Sequence, residues 1–106
     1  MISRIWKATA TERGAAAYAE HFRAHVIPSM ARLDGYEGAM LLQRQSGERV
    51  DVLVISFWRS EEAITAFAGP DIQRAVVATD ARRALECFDE TVTHFAVIAH
   101  DATDLK

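Results

Sequence analysis

Residues 49–58 carry Val50, Val52, Val54 on one parity of an extended chain and Leu53, Ile55 and Phe57 on the other. Successive side chains of a strand point to opposite faces, so this run reads as a strand covered on both sides. Few architectures open to a chain of 106 residues satisfy that demand. The remaining elements narrow them further. Residues 2–8, with Ile5 and Trp6, read as a first strand, residues 39–45 as a second, and the alternating stretch 91–100 as a fourth. Ser46-Gly47-Glu48 supplies a hairpin turn before the third. Ala15, Tyr18, Ala19, Phe22 and Val26 recur at three and four, which predicts an amphipathic helix over 11–27. Thr9 and Glu12 have the spacing of a capping box for it, and Pro28 is its expected stop. Ser60 caps a second helix that runs to Phe67 or Ala68 and halts at Gly69-Pro70. Residues 71–77 are expected to add a helical turn or two, and 79–88 form a charged, helix-capable insertion.

The resulting order, βαββαβ, predicts a single α+β domain over 1–106, with an antiparallel four-stranded sheet of the ferredoxin-like type and helices on one face. A weak echo, Ile5-Trp6-Lys7 and Phe57-Trp58-Arg59, marks the two strand-to-helix junctions. Two amphipathic helices cover one sheet face only. The apolar residues left on the other face predict a second copy packed against it, hence a homodimer.

Charge and cysteine content exclude several functions. Twelve Lys and Arg against fifteen Asp and Glu give a net charge of −3, which does not suit a nucleic-acid binder. The single cysteine, Cys87, cannot form an intrachain disulfide, and no stretch is apolar enough for a signal peptide or membrane span, so a cytoplasmic protein without membrane partners is expected. G-x-S-x-G, a glycine-rich phosphate loop and paired-cysteine metal motifs are all missing from the sequence.

The chain resembles the antibiotic biosynthesis monooxygenase family over nearly its full length. The likeness rests on Ile2-Ser3-Arg4-Ile5-Trp6, on the run from Phe57 to Ile64 continuing through Ala66-Phe67-Ala68-Gly69, and on Asp71-Ile72 and Val92-Thr93-His94-Phe95. The resemblance implies a dimeric α+β barrel. It also implies either a cofactor-independent, quinone-forming monooxygenase or a haem-degrading enzyme. The quinone-forming set, an asparagine, a tryptophan and an aromatic hydroxyl, falls on Val54, Trp58 and Ile64, of which Trp58 alone matches. The haem-degrading set, an asparagine, a tryptophan and a ligand histidine, falls on Ser3, Phe67 and Val77, and valine cannot ligate iron.

Oxidation of a phenol or anthrone by O₂ needs an apolar pocket, a proton acceptor and donors for the resulting oxyanion. Histidine is the natural acceptor near neutral pH. His94, embedded in the fourth strand among Val92, Ala96 and Ile98, is the first candidate, with Trp58 beside it as the second catalytic residue. His100, at the strand end, reads as exposed. His21 and His25 stack at i, i+4 on the first helix next to Tyr18, but Phe22 stands where a metalloprotease-like motif needs glutamate, so no metal site is assigned. Tyr18, His21, His25 and Phe67 are the candidate substrate-binding residues. Arg4, inside a strand, needs an acid partner or access to solvent at the dimer seam. The leading expectation is a cofactor-free oxidation of an aromatic or polyketide-like molecule. The alternative is a non-enzymatic small-molecule-binding or structural dimer, and haem degradation comes third.

Overall fold

A computed structural model describes residues 1–101. In chain order the elements are β1 (Ile2–Ala10), α1 (Glu12–His21), a π-helical turn (Phe22–Val26), α2 (Ile27–Ala31), β2 (Tyr36–Ser46), β3 (Arg49–Trp58), α3 (Glu61–Ala68), α4 (Thr79–Ala84), β4 (Cys87–Phe88) and β5 (Thr93–Ala96). All pairings are antiparallel, in the order β2-β3-β1-β4, with β5 also on β1. This is the expected α+β arrangement. Its last strand, however, is split: β4 pairs with Ala8 and Thr9, and β5 with Ile2 through Ile5, along the same margin of β1.

The register sorts side chains by face. Arg4 lies opposite Ser56, Trp6 opposite Val54, Ala8 opposite Val52 and Ala10 opposite Val50, and all eight are buried. The apolar members of this floor pack against Tyr18 and Phe22 of the first helical segment, while Met30 of α2 and Ile64 of α3 pack around Trp58 in a second cluster. The opposite face carries Ile5, Leu53, Ile55 and Phe57, which are half-buried, with Leu42 and Phe95 exposed. No helix among the described residues lies over it.

Four sequence expectations change. Thr9 belongs to β1, which runs two residues longer, and the helix cap is Thr11, whose hydroxyl accepts from Gly14 N–H at 3.0 Å. Pro28 does not end the helix. The Ile27 N–H bonds to the Phe22 carbonyl, five residues back, and the wider π turn relieves the crowding a proline ring imposes on the carbonyl four residues before it. The chain then continues into α2 with Pro28 in its first turn. Residues 71–77 are not helical, because their backbone groups are engaged elsewhere: Ala75 N–H donates to Glu90 O, Val92 N–H donates to Gln73 O, and Arg4 takes the carbonyls of Ile72 and Arg74. The insertion 79–88 divides into α4 and β4. Ser60 does cap α3, accepting from Ala63 N–H at 3.2 Å, and Gly69 follows that helix with φ of 86°.

Candidate functional site

A cavity of about 260 Å³ lies between the helix-facing side of the sheet, the α1–π–α2 segment and the strand-like stretch before α4. It opens at the seam of the core, with Trp6, Tyr18 and Val54 from one packed cluster and Met30 from the other. Most of the wall is apolar, supplied by Val26, Phe67, Val77, Ala81 and Val92 among others. Its polar groups are Arg4, Tyr18, His21, His25, Ser29 and Ser56, and no aspartate or glutamate among the described residues lines it. A pocket of this kind, apolar with a few convergent polar groups, is the usual form of a small-molecule site. A broader hollow of about 680 Å³ on the helix-free face is lined by Lys7, Leu42, Arg44 and Asp51 among others. No histidine or tyrosine lines it among the described residues, and it sits on the surface for which a second copy is expected.

The π turn shapes one wall. Because the backbone widens after His21, His25 remains above it, and the two imidazoles lie 5.4 Å apart between centroids. Tyr18 continues the row at 5.9 Å from His21, and Trp6 at 5.7 Å from Tyr18. Trp6 is fixed from behind by its indole N–H, which donates to Asp89 O at 2.8 Å. Burial lowers the His21 pKa, His25 lowers it further, and Asp80 opposes both. His21 is therefore neutral and able to accept a proton at pH 7. Burial pushes the Tyr18 phenol up to about 12, so it stays protonated and acts as a donor.

Of the residues singled out by sequence, Tyr18, His21, His25 and Phe67 line this cavity together. His94 and Trp58 do not. His94 is half-buried next to Arg4, whose Nη1 lies 3.1 Å from its Nε2. The β5 strand is only four residues long, so Ile98, 90% exposed, forms no apolar layer with it. Trp58 has no exposed surface. It stacks on Phe67 at 5.4 Å and donates from Nε1 to Ser56 Oγ at 2.9 Å, one layer behind the cavity wall. Val54 and Val77 reach the cavity, Ile64 is wholly buried in the core, and Ser3 lies on the other sheet face, donating to Phe95 O.

Arg4 and Ser56 are polar lining residues that the sequence did not place in the site, although Arg4 stood out as a strand arginine in need of partners. Among the described residues Arg4 pairs with no acid, and it does not reach solvent. It is 4% exposed, and it binds the Ile72 carbonyl, the Arg74 carbonyl at 2.8 Å and His94. Burial lowers its pKa to about 10, which leaves it charged at neutral pH. The available signal was parity: Arg4 shares its face with Trp6 and Ala8, the face turned to the helices.

No helix among the described residues is long and apolar enough to cross a membrane, and they contain no cluster of three metal-ligating side chains. A search of curated proteins finds no match. Among solved structures, the fold superposes on a Bacillus cereus protein classed with the antibiotic biosynthesis monooxygenases (TM-score 0.68, 18% identity, 99% of this chain and 98% of that one). It is similar to SnoaB, a cofactor-independent oxygenase from Streptomyces nogalater (TM-score 0.61, 16% identity, 96% and 98%). It is also similar to the haem degrader MhuD of Mycobacterium tuberculosis, solved with two haems in its active site (TM-score 0.61, 25% identity, 96% and 100%). The family model for antibiotic biosynthesis monooxygenases matches residues 1–79, which contain the sheet floor and the aromatic wall just described. The chain belongs to the antibiotic biosynthesis monooxygenase family.

Proposed function

We propose that this protein is a cofactor-free oxygenase that oxidises a small anthrone-like or phenolic molecule with O₂ in the cavity between sheet and helices. The observation that carries this reading is the pairing of a neutral His21 with the protonated Tyr18 on the wall of an apolar cavity. His21 removes a proton from the substrate's acidic carbon or hydroxyl. Tyr18 donates to the oxygen on which negative charge accumulates. The electron-rich anion reduces O₂, and a new carbon–oxygen bond forms. In a methylene substrate the carbon becomes a carbonyl, and its two hydrogens leave with the other oxygen atom as water. No external reductant is needed. His94 and Trp58 are positioning residues in this scheme: the first holds Arg4, the second Ser56.

Haem fits this chain poorly. The position that the resemblance assigns to the iron ligand is Val77, which lines the cavity but has no donor for iron. No step is derived through haem. The active form is a homodimer closed through the helix-free face, a reading supported by Leu53, Ile55 and Phe57 beside the exposed Leu42 and Phe95.

Oxygen uptake with anthrone, followed together with quinone absorbance, tests the reading. His21→Ala is expected to lower turnover by about 10²- to 10⁴-fold, the usual contribution of a general base. Absence of O₂ consumption with anthrones, naphthols and quinols, or full activity in His21→Ala, overturns it. A second reading, a non-enzymatic binding dimer, is favoured by Val54 and Ile64 standing where the quinone-forming set has polar groups. Saturable binding without oxygen uptake identifies it.

A further inference from the structure

The cavity has an unusual charge inventory. Among the described residues its ionisable lining groups are Arg4, Tyr18, His21 and His25, so the one permanent charge they place on its wall is a cation, and no described carboxylate answers it. Arg4 also makes no ion pair with any described carboxylate; its partners are two backbone carbonyls and His94. A buried guanidinium held only by dipoles is incompletely compensated, and the field it leaves falls on the adjoining space. Three of its five N–H donors are used by those bonds, which leaves two for a ligand.

A second donor stands beside it. Ser56 faces Arg4 directly across the β1–β3 pair, so the two side chains are neighbours on one face of the sheet. Its oxygen accepts from Trp58 Nε1, which orients the hydroxyl and leaves its hydrogen to donate. Both side chains are more than nine-tenths buried, and both line the cavity. Phe67, with the guanidinium carbon 5.7 Å from its ring centroid, supplies an aromatic surface next to them.

We infer that Arg4 and Ser56 form a carboxylate subsite on the cavity floor, so that the ligand is a small aromatic acid whose ring packs against Phe67 and the aromatic wall. Two convergent donors, one of them charged, match a carboxylate in geometry as well as charge. The inference rests on the proposed use of this cavity as the substrate site and specifies the substrate class. It needs no chemistry to occur.

Titration calorimetry of the intact protein with 2-naphthoate and with its neutral isostere 2-naphthamide, at pH 7.5, tests it without oxidation. The acid is expected to bind at least about tenfold more tightly than the amide, the usual scale of one hydrogen bond to a charged group. Arg4→Gln is expected to erase that preference, and Ser56→Ala to reduce it several-fold. Should Arg4→Gln fail to fold, because the 72–74 carbonyls lose their anchor, Ser56→Ala decides alone. Equal affinities in the wild type, binding of neither compound, or an undiminished preference in Ser56→Ala overturns the subsite. Acid preference without oxygen uptake defeats only the oxygenase reading. Oxygen uptake on neutral anthrone with equal acid and amide affinities defeats only the subsite.

Discussion

Arg4 Nη1 lies 3.1 Å from His94 Nε2, and because a guanidinium can only donate, the imidazole accepts this bond in its neutral form. Burial lowers the His94 pKa, the Arg4 charge lowers it further, and Glu61 opposes them. The unfolded chain therefore binds a proton near pH 6.5 more readily than the folded one does. Stability is fully present above that value and is lost as pH falls through the lowered folded pKa. His21 contributes with the same sign. Melting temperature is expected to drop between pH 7.5 and pH 5, and His94→Gln to flatten part of the slope. An unchanged slope in His94→Gln removes His94 from the account.

The same reasoning applied to His21 gives a kinetic signature. Its lowered pKa keeps the acceptor form dominant at neutral pH, so kcat/KM for anthrone oxidation should fall only on the acid side, with a midpoint below the ordinary histidine value of about 6.5. His25→Asn removes the neighbouring charge that lowers the His21 pKa and should move that limb upward in pH. A limb that stays in place after His25→Asn shows that a group other than His21 accepts the proton.

Gly14 gives a stability prediction opposite in sign to helix propensity. Alanine is the better helix former by about 1 kcal/mol, yet a Cβ at Gly14 collides with the Ala84 backbone carbonyl, where α1 meets α4. Gly14→Ala is expected to lower the unfolding free energy by the roughly 1–3 kcal/mol typical of overpacking, read as a lower denaturant midpoint. Stabilisation by that substitution shows that α4 moves aside freely.

The homodimer is testable by sedimentation. Leu53 and Ile55 lie mid-strand on the helix-free face, and a buried interface there should exceed about 1,000 Å² in total. Leu53→Asp places a charge at its centre and is expected to give a folded monomer at micromolar concentration. A wild-type monomer at that concentration ends the proposal.

The strands were legible because runs of β-branched and aromatic residues mark extended chain, most clearly at Val50 through Trp58, where both parities are apolar. Ser60 was legible because capping chemistry is local. Pro28 misled because the rule for proline assumes an α-helical turn before it, and the π turn removes the clash. Residues 71–77 misled because their backbone partners, Glu90 and the Arg4 side chain, are remote in sequence. The site divides in the same way. Tyr18, His21, His25 and Phe67 follow from helix periodicity, whereas the role of Arg4 depends on knowing that β1 turns its even residues toward the helices. His94 carried the right parity signal but meets Arg4 before it meets the cavity.

The placement of β1 between its two sets of partners has a consequence for how the molecule assembles. β2 and β3 pair through a two-residue turn at Gly47-Glu48, so that hairpin closes locally. Ile2, by contrast, pairs with Trp58 on one side and Ala96 on the other. β1 must therefore wait for β5, more than ninety residues later in sequence, before both its margins are satisfied. Non-local closure of this kind slows folding and leaves strand edges open meanwhile. Arg4 reaches His94 only at that final step, so the cavity floor takes its finished shape when the last strand docks.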